Sequence, residues 1–113
     1  MRNHTGIDFA LNLGSDVVAT ADGVVVVQQY GEKQGNFVLI RHDKTFSTRY
    51  FHLETAKVKE GDTVRKGQLI GLVGSTGVLS TEPHLHYEIL KNHTVVDPTS
   101  YLPALPEVDD ETK

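Results

Sequence analysis

The chain has 113 residues, 38% of them hydrophobic and 23% charged, with a formal net charge of −4 and no cysteine. That length suits one domain around one core. Without cysteine there are no disulfides and no thiolate metal sites. The acidic balance and the lack of a basic run exclude phosphate-driven nucleic-acid binding, and no apolar run approaches the length of a membrane span.

Met1-Arg2-Asn3 shows no signal peptide. Either the protein acts where it is made, or the chain is a piece whose leader has been removed. His4, Gly6 and Asp8 follow, two apart, with Ile7 and Phe9 between and after them. On a β-strand this spacing puts the polar set on one face and the apolar pair on the other. Val24 to Val27 is β-branched throughout and follows a turn at Asp22-Gly23. Asn36 to Arg41 is a second apolar run, entered from a polar loop at Gly31 to Gly35. Phe46 to Leu53 is a third, and the His42-Asp43-Lys44 link between the two predicts an antiparallel hairpin.

From Val58 to Gly71 the pattern is one of very short strands broken by glycines at tight bends. Gly74-Ser75-Thr76-Gly77 reads as a loop, and His84-Leu85-His86 opens the last long strand. Asp97-Pro98 suggests a short helical turn to Leu102, with Asp97 as its cap. No segment shows a helical period over eleven residues. The fold class is therefore all-β, with one domain over residues 1–102. An acidic tail, residues 103–113, is expected to fray.

Of six histidines, two have simple explanations. His42 and His93 sit in polar turns and read as structural or surface residues. Asp16, Asp22, Asp43 and Asp62 read as turn or loop acids by the same reasoning. His84 and His86 share a strand face, away from Leu85, Tyr87 and Ile89. Alone this pair is a weak metal signal. Joined to His4 and Asp8 it offers imidazoles and a carboxylate, the donor chemistry of a zinc site that keeps one position open. His52 is expected on the face of Thr48 and Tyr50, opposite Phe51 and Leu53, where it is either a rim residue or functional. Glu88 follows the His84/His86 face. It could orient an imidazole, but its ordinary reading is a solvated strand residue.

Three pieces, His4-x-Gly6-x-Asp8, Tyr50-x-His52-Leu53 and Pro83-His84-Leu85-His86-Tyr87-Glu88, together resemble the M23 family of zinc metallopeptidases. These are the LytM- and lysostaphin-type peptidoglycan endopeptidases. The resemblance extends through Ala21-Asp22-Gly23, the Gly61 to Gly71 segment, Gly74-x-Thr76-Gly77 and Val96-Asp97-Pro98, so it runs from His4 to about Leu102. It implies antiparallel β-sheets with short Gly-rich turns and an open substrate groove, similar to a duplicated hybrid motif. It implies one zinc ion on His4, Asp8 and His86, with His52 and His84 as catalytic histidines. The implied substrate is the stem peptide or cross-bridge of peptidoglycan, which places the reaction in the periplasm or outside the cell.

Family catalytic domains usually carry a further segment before the first ligand, whereas three residues precede His4 here. An upstream domain outside this chain would fit that difference. His84 is the first choice for general base because it neighbours the ligand His86, and His52 would then stabilise the oxyanion or position water. These two roles can exchange.

Two other functions compete with hydrolysis. One is an impaired module of the same family that binds wall peptide or a partner. The other is a carrier domain: Gly61 to Gly71 is similar to a biotinyl or lipoyl hairpin, and the wider pattern to phosphocarriers of sugar transport. The lysines here lack the carrier motif, and phosphocarriers do not show His-x-x-x-Asp followed by His-x-His.

Overall fold

The computed structural model describes residues 6–76 and 83–97. His4, positions 77–82, the expected helical turn beyond Asp97 and the tail from Pro103 lie outside them. Nine strands are present among the described residues: β1 (Ile7–Phe9), β2 (Asp16–Val18), β3 (Gly23–Gly31), β4 (Gly35–Arg41), β5 (Phe46–Ala56), β6 (Thr63–Val64), β7 (Leu69–Val73), β8 (Leu85–Lys91) and β9 (Thr94–Val96). Every pairing is antiparallel and all strands join one sheet, in the order β1-β8-β5-β4-β3-β6, with β7 linking β5 to β2 and β9 extending β8. No helix long and apolar enough to cross a membrane occurs among the described residues.

The all-β expectation holds, and the long strands fall where the β-branched runs placed them. The β4–β5 hairpin forms at the expected link. Asp43 Oδ1 accepts from the backbone N–H of Thr45 and of Phe46, both at 2.8 Å, so a short polar side chain turns the strand around. β8 and β9 are joined through Asn92-His93, both at positive φ, as in the tight turns that match strand twist. Two features differ from the sequence reading. β5 continues past Leu53 to Ala56, and the three-residue strands β2 and β9 were not anticipated. Segments that short carry too few residues to show a period; their partners create them.

β5 is the hub of the sheet. One edge pairs with β4 from Ser47 to Leu53. The other pairs with β8 from Phe46 to Phe51, then with β7 from Leu53 onward. The core lies on one side, where Val25, Val38, Ile40, Tyr50, Leu53, Val64, Ile70 and Val73 are almost fully buried, with Leu85, Tyr87 and Ile89 beside them.

A polar chain runs through this core. The Tyr50 hydroxyl meets the hydroxyls of Thr20 and Thr48, both at 2.8 Å, and accepts the Thr20 N–H at 3.2 Å. Tyr87 donates to Thr20 Oγ1. His42 closes the other end, its Nε2 on Thr48 Oγ1 at 2.8 Å and its Nδ1 donating to the Asp22 carbonyl at 2.7 Å. This accounts for His42 as a structural residue. Burial pushes both tyrosine hydroxyls to titrate well above their ordinary value, so Tyr50 and Tyr87 stay uncharged.

Replacing Tyr50 with Phe strips two hydroxyls and one buried N–H of a shared partner. Unfolding in urea is expected to show a loss of about 1–3 kcal/mol. The chemistry of the opposite face should be untouched.

Candidate active site

The face of the sheet opposite the core holds a groove of about 530 Å3, whose lining includes Asp8, Phe51, His52, His84, His86 and Glu88. Strand register builds it. Asp8 on β1 lies opposite His86 on β8, and His86 lies opposite Phe51 on β5. Two residues along, Glu88 faces Arg49. Alternation then turns all of these toward the groove and sends Leu85, Tyr87 and Ile89 into the core, as expected.

His52 reaches the groove by another route. Between Asn36↔Leu53 and Val38↔Tyr50 the β5 strand has one residue more than β4. Two residues, Phe51 and His52, thus stand against Phe37 alone, which is a β-bulge. His52 takes φ of +66°, a left-handed conformation that few non-glycine residues adopt. The expectation that His52 shares the face of Thr48 and Tyr50 is therefore corrected. Tyr50 and Leu53 are buried in the core, while Phe51 and His52 both line the groove.

Asp8 Oδ1 lies 2.6 Å from Nδ1 of His86 and 3.8 Å from Nε2 of His84. The other nitrogen of His86, Nε2, donates to Glu88 Oε2 at 3.1 Å. Glu88 accepts from Arg49 through Nε at 2.8 Å and through the terminal guanidinium nitrogen at 2.5 Å. It is only 5% exposed, so the solvated reading of Glu88 is corrected. The His86 ring stacks on Phe51, with centroids 5.3 Å apart and planes within 2°. The Arg49 guanidinium carbon lies over the same phenyl ring, 5.3 Å from its centroid. His86 is thereby held in both plane and rotation.

Charge follows from this packing. The Glu88 hydrogen bond, opposed by burial and reinforced by Asp8, raises the His86 pKa above its ordinary value. Burial would raise Glu88, but His86 and Arg49 outweigh it and hold the carboxyl below the usual range. Burial lowers His52; the Thr76 carbonyl opposes this, and His84 and His86 add to the lowering. The His52 and His84 rings sit 4.8 Å apart by centroid.

The described residues alone do not bring three metal-type donors together, and His4 lies outside them. The donors that are present suit a divalent cation such as zinc. Asp8 Oδ1 and His86 Nδ1 are adjacent oxygen and nitrogen donors, and a carboxylate occupies the far nitrogen of the imidazole, as in the carboxylate–histidine–zinc arrangement. Reasoning from sequence missed Arg49 and Phe51, because their roles depend on cross-strand neighbours. Gly6 carried a readable signal, since it sits midway between His4 and Asp8. A Cβ there would lie 2.6 Å from the Tyr87 carbonyl oxygen and 2.7 Å from His86 Nε2, so only glycine lets β1 approach this closely.

Comparison with known proteins agrees with this fold. The model of peptidase family M23 matches residues 2–98. The chain is similar to the peptidoglycan DD-endopeptidase ShyA of Vibrio cholerae, 48% identical over 87 residues, which is 77% of this chain and 20% of that protein. Among solved structures it is similar to a zinc-containing peptidase from Vibrio cholerae, with 45% identity and a TM-score of 0.80 over 83% of this chain and 29% of that one. It is also similar to the catalytic domain of lysostaphin from Staphylococcus simulans, with 38% identity and a TM-score of 0.81 over 88% of this chain and 78% of that one. The chain spans about a fifth of the length of the curated relatives it matches first.

Gly6→Ala should break the Asp8–His86 contact. Expected are a loss of about 1–3 kcal/mol in chemical unfolding, as for overpacking, and a shifted His86 imidazole resonance.

Proposed function

This chain belongs to peptidase family M23, and we propose that it is a zinc-dependent endopeptidase hydrolysing peptide bonds of bacterial cell-wall peptidoglycan, in the stem peptide or cross-bridge. The observation that carries this reading is the convergence of Asp8 and His86 with His52 and His84 in one groove. The relatives named as peptidoglycan endopeptidases supply the substrate class. That substrate lies in the periplasm or outside the cell.

In this reading His4, Asp8 and His86 hold the metal. Zinc held there would supply Lewis acidity and make water more acidic at neutral pH. Glu88 keeps the proton on Nε2 of His86, which leaves the Nδ1 lone pair for the metal. His52 donates Nδ1–H to the Thr76 carbonyl at 2.7 Å, so its Nε2 carries a lone pair. Burial favours the neutral ring. These features suit His52 to accept a proton from the attacking water and return it to the leaving amine. His84 lies between His52 and Asp8, where a protonated imidazole would steady negative charge on the scissile carbonyl oxygen. Of the two exchangeable assignments, the hydrogen bond to Thr76 favours His52 as the base.

Incubation with purified sacculi, followed by analysis of released peptides, tests the reading directly. Chelation should abolish release and added zinc should restore it. Zinc retained without any cleavage would point instead to a binding module.

Asp8→Ala is expected to lose the metal; equal zinc content in variant and parent would remove Asp8 from the ligand set. His84→Ala should keep both zinc and fold, with stability within about 1 kcal/mol. His52→Ala should keep zinc but cost about 0.5–1.5 kcal/mol, the worth of its bond to Thr76. Cleavage by either variant should fall about 10²- to 10⁴-fold.

Glu88→Gln removes the anion that orients His86. Competition with a zinc chelator should show metal affinity about 10- to 100-fold weaker. Unchanged affinity would leave Glu88 with only a packing role.

A further inference from the structure

We infer that Thr76 is a positioning residue for the reaction: its hydroxyl pins its own segment to the β5 bulge, so that its carbonyl fixes His52 as the Nδ1–H tautomer. The inference rests on the reading of His52 as the proton acceptor.

Thr76 Oγ1 donates to the Leu53 carbonyl at 2.7 Å and accepts the Asn36 N–H at 3.1 Å. It therefore ties its segment to both β5 and the start of β4. The Thr76 carbonyl then stands 2.7 Å from Nδ1 of His52. A carbonyl can only accept, so Nδ1 must carry a proton. In a neutral imidazole the second nitrogen is then the acceptor. A rotated or departed Thr76 would free the ring to adopt the other tautomer, whose Nε2–H cannot take a proton.

The backbone of His52 is held by the same elements. Its N–H donates to the Gln34 carbonyl at 2.8 Å, and its carbonyl accepts the Gly74 N–H at 3.1 Å. A left-handed non-glycine residue persists only where its surroundings over-determine it. Here the β3–β4 turn and the segment at 74–76 do so together. Gly35 completes the fit: with φ of +69°, it carries no Cβ where one would overlap the Thr76 hydroxyl and carbonyl. Asn36 adds a side-chain clamp, its Nδ2 donating to the carbonyls of Leu53 and Glu54.

The test uses the zinc-loaded chain. Nitrogen-15 shifts of the His52 ring, read in the wild type at a pH where imidazole is neutral, should show Nδ1 protonated and Nε2 bare. Thr76→Val should lower kcat at least about tenfold, a fraction of the worth of a positioned base. KM should stay within about twofold, and the His52 signals should shift toward a mixture of tautomers. Thr76→Ser, which keeps the hydroxyl, should restore both kcat and the single tautomer. A wild-type ring protonated on Nε2 overturns the inference, even if the valine variant does not fold. So does a Thr76→Val protein with unchanged kcat and unchanged ring signals. His52→Ala separates the two ideas. Full activity in that variant sinks the acceptor reading and this inference with it, whereas an inactive His52→Ala beside a fully active Thr76→Val sinks the inference alone.

Discussion

One extra residue in β5 organises the groove. Without the bulge, strict alternation would send His52 into the core beside Tyr50 and leave Phe51 alone facing the groove. With it, two neighbouring side chains reach the same face, and Leu53 still returns to the core. The same point is where β5 exchanges β8 for β7 as its partner. A strand that must serve two partners bends between them, and a bulge is how an antiparallel strand bends. The left-handed φ of His52 is an unfavourable local conformation, offset by three hydrogen bonds to two segments, the β3–β4 turn and residues 74–76.

The groove is also ordered by charge. Across β1, β8 and β5 the sequence of groups is Asp8, His86, Glu88 and Arg49, alternating acid and base. Removing Glu88 takes the counter-charge from Arg49 and leaves His86 with Asp8 alone. The pair of Arg49 and Glu88 is largely out of water, where ion pairs contribute little net stability. Its value lies in direction: Glu88 reaches His86 with a fixed oxygen because Arg49 holds the other. Phe51 adds an apolar wall that prevents the imidazole from tilting.

The two faces of the sheet use their polar groups differently. On the core side, hydroxyls from Thr20, Thr48, Tyr50 and Tyr87 satisfy one another, and His42 joins them to the Asp22 carbonyl. On the groove side, His52, His84 and His86 keep nitrogen atoms near the cavity. Both faces are built from the same strands, β5 and β8. Tyr50 and Tyr87 pack against each other directly beneath the row that carries Phe51 and His86.

Much of this was legible in the sequence. The period of two along His84 to Ile89 placed two histidines on one face and three apolar residues on the other, and it did so because alternation is a property of the strand alone. The turn acids Asp43 and Asp62 were equally readable, since each accepts from the backbone of its own turn; Asp22 instead accepts from the distant Lys66 N–H, and Asp16 opens β2. What only the tertiary structure decided has a common cause. His52 changed faces because a register shift against β4 cannot be seen in β5 by itself. Glu88 became buried because its partner lies 39 residues away. Thr76 acquired a purpose only when its segment met Asn36 and Leu53. Local periodicity determines which way a side chain points from a regular strand; the pairing of distant strands decides where that regularity must break.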